Sequence, residues 1–177
     1  MKKMCKRRIF VSVCLRDELS MSQNRSQFST SAYLWGIFIR PKYPRGHGTH
    51  AFDITDGPYF DGETMANLNP NQEWYFRSTA DVNPATNIHV LGGILVGKIT
   101  DEVKIEQIEN ILRPVPLPVK GEIPEQTCVT WIKAAIRALQ DANLVRDFDV
   151  NNFMVYALRF ADKRMKEGVP EYVTYKE

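Results

Sequence analysis

Apolar positions change period along the chain. Ile9, Val11, Val13 and Leu15 alternate with Phe10, Ser12 and Cys14, the two-residue period of a strand with two differently packed faces. Tyr33 to Ile39 (YLWGIFI) is nearly all apolar, as a central strand is, and it stops short of Pro41. Lys42 to Gly48 make a turn-rich connection. Thr49 to Thr55 then sets His50, Phe52 and Ile54 on one face and Ala51 and Asp53 on the other, until Asp56-Gly57-Pro58 ends the strand with turn residues. Residues 17–31 are polar and read as a loop, and residues 59–72 as a long irregular one. Trp74 to Thr79 supplies another short strand. His89 to Ile99 is a long β-type run in which Gly92-Gly93 permits a bulge or a close backbone approach.

The period lengthens after residue 99. Thr100 can cap a first helix, with Asp101 and Glu102 in its first turn and Ile105, Ile108 and Ile111 or Leu112 as its buried stripe. Four prolines between residues 113 and 124 predict an extended, semi-rigid connection. A second helix runs from about Glu125 to Asp141, with Cys128, Ile132, Ala135, Ile136 and Leu139 on one face. A third begins after Asp149 and turns Phe153, Ala157, Phe160, Ala161 and Met165 inward. Strands first and helices last predict an α+β fold: an antiparallel β-sheet with helices packed on one side.

The 177 residues are one domain's worth of chain, 44% hydrophobic and 25% charged, which excludes a disordered or fibrous protein. No run of 18 apolar residues exists, so no membrane span is expected. The net charge of +2 is uneven. Residues 1–8 (MKKMCKRR) carry five basic groups, which leaves −3 for the rest and gives no reason to expect nucleic acid. The apolar stretch after the basic residues is too short and too interrupted for a secretory signal. Residues 1–7 are therefore expected as a flexible basic lead-in to a single domain over 8–177. Cys5, Cys14 and Cys128 are an odd, unpaired set, which fits a reducing compartment and a cytoplasmic location. Neither helix pattern sustains heptads, so the oligomeric state is left open.

Among residues that carry chemistry, Thr127-Cys128-Val129-Thr130-Trp131 stands out. Cys128 falls at the start of an amphipathic helix, where free N–H groups and the dipole favour a thiolate nucleophile. The same position also suits a small apolar residue at the head of a buried stripe. A nucleophilic cysteine needs a base, and of His47, His50 and His89 only His50 lies inside a strand, where packing fixes the ring. Asp53 points to the opposite sheet face and is not its orienting partner. No phosphate-binding glycine loop occurs, so no cofactor is expected.

A strand of the form aromatic-x-Trp-Gly (Tyr33 to Gly36), a later strand carrying a His (HAFDITDG) and a helix opening TCVTW together resemble the circularly permuted papain-like proteins, including the lecithin:retinol acyltransferase group. More closely, RRIFVSVCLRD, YLWGIFIRPK, EWYFR, GILVGKIT, ILRPVPLP and TCVTWIKAAIRAL are similar to a small family of fungal proteins with this layout. The resemblance implies a papain-like domain with Cys128 as nucleophile and His50 as base, acting as a thiol hydrolase or acyltransferase on a small-molecule or peptide substrate. Leu34 stands where the group carries its catalytic His, and leucine accepts no proton. The resemblance thus admits a second reading: a retired scaffold that binds a small molecule or a protein partner in the old cleft, with Leu34, Trp35, Trp74 and Trp131 as its walls.

Overall fold

The alternating residues of β1 (Arg7–Leu15) lie in the middle of a sheet. A computed structural model of the chain describes residues 6–16 and 25–176. In it β1 pairs antiparallel with β2 (Tyr33–Pro41) and with β5 (Val90–Ile99). β3 (Thr49–Thr55) and β4 (Tyr75–Val82) extend the sheet beyond β2, again antiparallel. β6 (Glu171–Thr174) lies parallel to β5, which gives the order β4-β3-β2-β1-β5-β6. Four α-helices are described, a single turn, α1 (Arg25–Phe28), then α2 (Ile105–Leu112), α3 (Cys128–Asp141) and α4 (Val150–Glu167), besides two 3-10 turns at Ser29–Ala32 and Pro84–Thr86. The chain is an α+β fold built on a mostly antiparallel sheet.

One face of the sheet is dry. Ile9, Val11 and Val13 of β1, Trp35, Ile37 and Ile39 of β2 and Phe52 of β3 are buried under the helices. α3 packs on β2 and β3, α4 on β5, and α2 against α3 and β3. Each such aliphatic side chain contributes roughly 1.5–3 kcal/mol when removed from water. The other face carries Ser12, Cys14, Leu34, Gly36 and Asp53, and among the described residues no helix packs on it. None of the described helices is long and apolar enough to cross a membrane.

Several boundaries differ from the sequence reading. α2 starts five residues after Thr100, because Lys104 closes its N-terminus: the Lys104 N–H donates to Gln107 Oε1 at 2.7 Å. α3 starts at Cys128 rather than near Glu125, because Thr127 supplies the cap. β6 has only four residues, too few for a legible alternation, and tertiary contacts hold it in place. Arg164 Nη1 reaches Glu171 at 2.8 Å, and a Cβ on Gly92 would lie 1.9 Å from the Glu171 carbonyl oxygen. The close approach suggested by Gly92-Gly93 is thus made by β6. Lys6 and Arg7 are not a flexible lead-in. Lys6 Nζ sits 2.8 Å from Asp101, and Arg7 pairs with Pro41 and Ile99 while its guanidinium donates to the Val103 carbonyl. Residues 1–5 of that expected lead-in lie outside the described residues.

Candidate functional site

Thr127 folds the start of α3 into a closed cap. Its hydroxyl accepts from the Val129 N–H at 3.2 Å, and its own N–H donates to Thr130 Oγ1 at 3.2 Å. The Thr127 hydroxyl thereby takes the Val129 N–H, one of the helix-start donors that would have favoured a thiolate or an oxyanion. Cys128, the next residue, is fully buried, and its thiol points at the Tyr33 carbonyl, 3.7 Å away. Burial pushes its pKa up, against a smaller lowering from the backbone at Trp35. A thiol in this state is protonated and sealed, the opposite of an activated nucleophile.

His50 lies on the same face of the sheet but far along it. Its strand partner is Ile39, six residues from Tyr33, which is roughly 20 Å of strand. The imidazole Nε2 is 2.7 Å from Ser78 Oγ, and that hydroxyl donates to Glu109 Oε2 at 2.9 Å. The chain β3–β4–α2 is stitched together by these three side chains. Burial holds the His50 pKa below its ordinary 6.5, partly offset by Glu109 and Glu106, so the ring is neutral at pH 7. The structure does not bring Cys128 and His50 together. Leu34, exposed, and the sealed Cys128 stand on opposite sides of the sheet. A histidine at position 34 would therefore face away from the thiol.

All three tryptophans belong to the core side. Trp131 is fully buried in α3, 6.2 Å from Phe76, with its indole N–H unpartnered. Trp74 packs partly buried against the core. Trp35 is buried on the covered face and donates to the Thr30 carbonyl at 2.7 Å, whereas Leu34 before it is exposed on the other face, beside a cleft.

That cleft has a volume of about 510 Å³. Its floor is low because small residues line up across two strands: Ser12 of β1 is in register with Gly36 of β2, and both line the cleft. A Cβ on Gly36 would lie 2.9 Å from the Phe52 carbonyl and 3.1 Å from the Ser12 hydroxyl, so only glycine fits. At one end Arg77 clasps Asp53 with both arms, Nε to Oδ1 at 2.7 Å and Nη2 to Oδ2 at 2.9 Å. The two are directly opposed on β4 and β3. Cys14 lies across β1 from Leu34, and its pKa is pushed up to about 12 by burial and then by Asp53, with Arg77 opposing. Leu34 and Phe38 supply apolar wall, while Asn87 and His89 stand at the rim. Sequence reading missed Ser12, Cys14, Gly36, Asp53 and Arg77 as a group. The signal was present in the alternation: Ser12, Cys14 and Gly36 are the out-facing positions of strands whose in-facing positions are large and apolar, and Asp53 alternates with Phe52 and Ile54.

Fold and site together define an α+β domain with a sealed helix-start cysteine and a polar-floored cleft on the sheet face that no described helix covers. Over residues 6–169 the chain matches the model of a family of unknown function, DUF6914, and it belongs to that family. A search of curated proteins and a search of solved structures each find no match.

Proposed function

We propose that the protein binds a small molecule in the open-face cleft and runs no thiol chemistry at Cys128. The carrying observation is the juxtaposition of a glycine-serine floor with the Asp53–Arg77 pair in a concavity of about 510 Å³, within the usual size range of ligand pockets. Apolar walls at Leu34 and Phe38 beside the polar and charged lining of Ser12, Asp53, Asp56 and Arg77 suit an amphipathic ligand. The thiol-hydrolase reading has no comparable support, because its base and nucleophile are separated by the length of a strand and its nucleophile is capped and dry. The test uses 8-anilinonaphthalene-1-sulfonate as an amphipathic probe. Its fluorescence should rise on the native protein and fall back in Leu34→Trp, which closes the cleft at an exposed position with little cost to the fold. Equal enhancement in both proteins would overturn the reading.

A further inference from the structure

β4 is an edge strand, bonded only to β3. Natural edges are guarded by Lys, Pro, bulges or a covering element. β4 (YFRSTADV) contains neither Lys nor Pro. The register shift between Thr49 and Ala51, opposite the strand's far end, and the left-handed Asp81 (φ 54°) interrupt only that end. Tyr75 to Thr79, about 17 Å of strand, stays regular. Beside it runs a groove of about 470 Å³ whose other wall is Pro58, Tyr59 and Phe60.

The loop that carries this wall is ordered, not irregular. Asn69 Nδ2 donates to the carbonyls of Asp56, Gly57 and Glu73 at 2.9–3.3 Å, and Asp61 accepts from the Glu63 and Thr64 amides and the Thr64 hydroxyl. These bonds hold the loop in one shape while Tyr59, Phe60, Met65 and Leu68 each remain more than half exposed. Its charge is one-sided. Residues 56–74 contain Asp56, Asp61, Glu63 and Glu73 and no Lys or Arg. Those same donors hold Asp61 below the usual carboxylate range. Of the nearby cations, Arg77 is taken by Asp53 and Arg113 by Glu109, which leaves Lys120, whose ammonium donates to the Asn71 carbonyl.

We propose that the β4 edge takes up a short extended segment of a partner protein, with apolar and basic residues in alternation, as an added strand. The partner's main chain would bond to the outward groups of Tyr75–Thr79. One set of its side chains would pack on Tyr59 and Phe60, while the field of the acidic loop would favour the basic set on the other face without direct contact. The same charge disfavours nucleic acid and anionic lipid. The inference does not depend on the cleft reading, because Tyr59 and Phe60 do not line that cleft.

The probe is a fluorescein-labelled Lys-Val-Lys-Val-Lys-Val peptide followed by fluorescence anisotropy. Saturable binding is expected, weakened by added salt and reduced about tenfold in the double variant Tyr59→Ser/Phe60→Ser, since anchors of this kind dominate such contacts. The same peptide N-methylated at alternate amides should not bind, because it cannot extend the ladder. Both loop positions are exposed, so the variant should keep the native circular dichroism spectrum and melting temperature. The proposal is overturned by absence of saturable binding, by equal binding of the N-methylated peptide, or by a Glu-Val peptide binding as well as the Lys-Val one. Concentration-dependent dimers abolished by the same double variant would also overturn it, by showing that a second copy fills the edge.

Discussion

Cys14 and Cys128 sit on opposite sides of the start of β2 and show what each side of the sheet is for. Cys128 lies under Tyr33 on the helix-covered side, fully buried and tied to a carbonyl. Cys14 lies across from Leu34 on the uncovered side, partly buried, beside an ion pair and a cleft. Both thiols are raised in pKa, each chiefly by burial. The difference is in access and neighbours, since only Cys14 borders space and polar side chains. A helix start is a reactive address only when the thiol can be reached, and here Cys128 is fully buried behind the Thr127 cap.

The contrast breaks most visibly in the core. Trp131→Ala removes a fully buried indole from the covered side, and urea unfolding should show a loss of about 3–5 kcal/mol. A loss below about 1 kcal/mol would mean that this side is not the packed one. On the uncovered side, Gly36→Ala forces a Cβ against the Phe52 carbonyl at 2.9 Å, and the expected cost is about 1–3 kcal/mol. Unlike the tryptophan change, it should also lower fluorescence of the cleft probe. Unchanged stability would show that β2 and β3 can move apart and that the floor is not fixed.

A smaller effect comes from pH. Because the folded His50 pKa is depressed, the unfolded chain takes up the proton first as the solution is acidified. The stability due to neutral His50 is fully present above 6.5 and is lost as pH falls through the folded value. His50→Gln should flatten that acid-side slope in a series of unfolding curves. An unchanged slope would assign the pH dependence to other groups.

Much of the fold was legible because it rests on periodicity. Thr49–Thr55 and the helix beginning after Asp149 stand where alternation and capping put them. β6 was illegible because four residues are fixed by Arg164 and by the gap at Gly92, not by their own pattern. The site was half legible. Alternation already placed Asp53 away from His50, but nothing local says that Arg77, 24 residues on, clasps it. Nor does the sequence around Cys128 say that Thr127 takes the Val129 N–H and that the thiol is sealed under Tyr33. The order of the loop at 56–73 was hidden for a related reason: its side-chain bonds look, in sequence, like any polar stretch.

Site-resolved alkylation with iodoacetamide, read by peptide mass spectrometry across pH 6–9 in the native protein and in His50→Ala, tests the central claim most directly. A sealed, unactivated Cys128 should be modified only as fast as the native protein opens, with the same rate in both proteins. Cys14, with a pKa of about 12, should also react slowly at neutral pH and then accelerate as the pH rises. Rapid modification of Cys128 at or below pH 7 that disappears in His50→Ala would contradict the account and restore the cysteine–histidine pair.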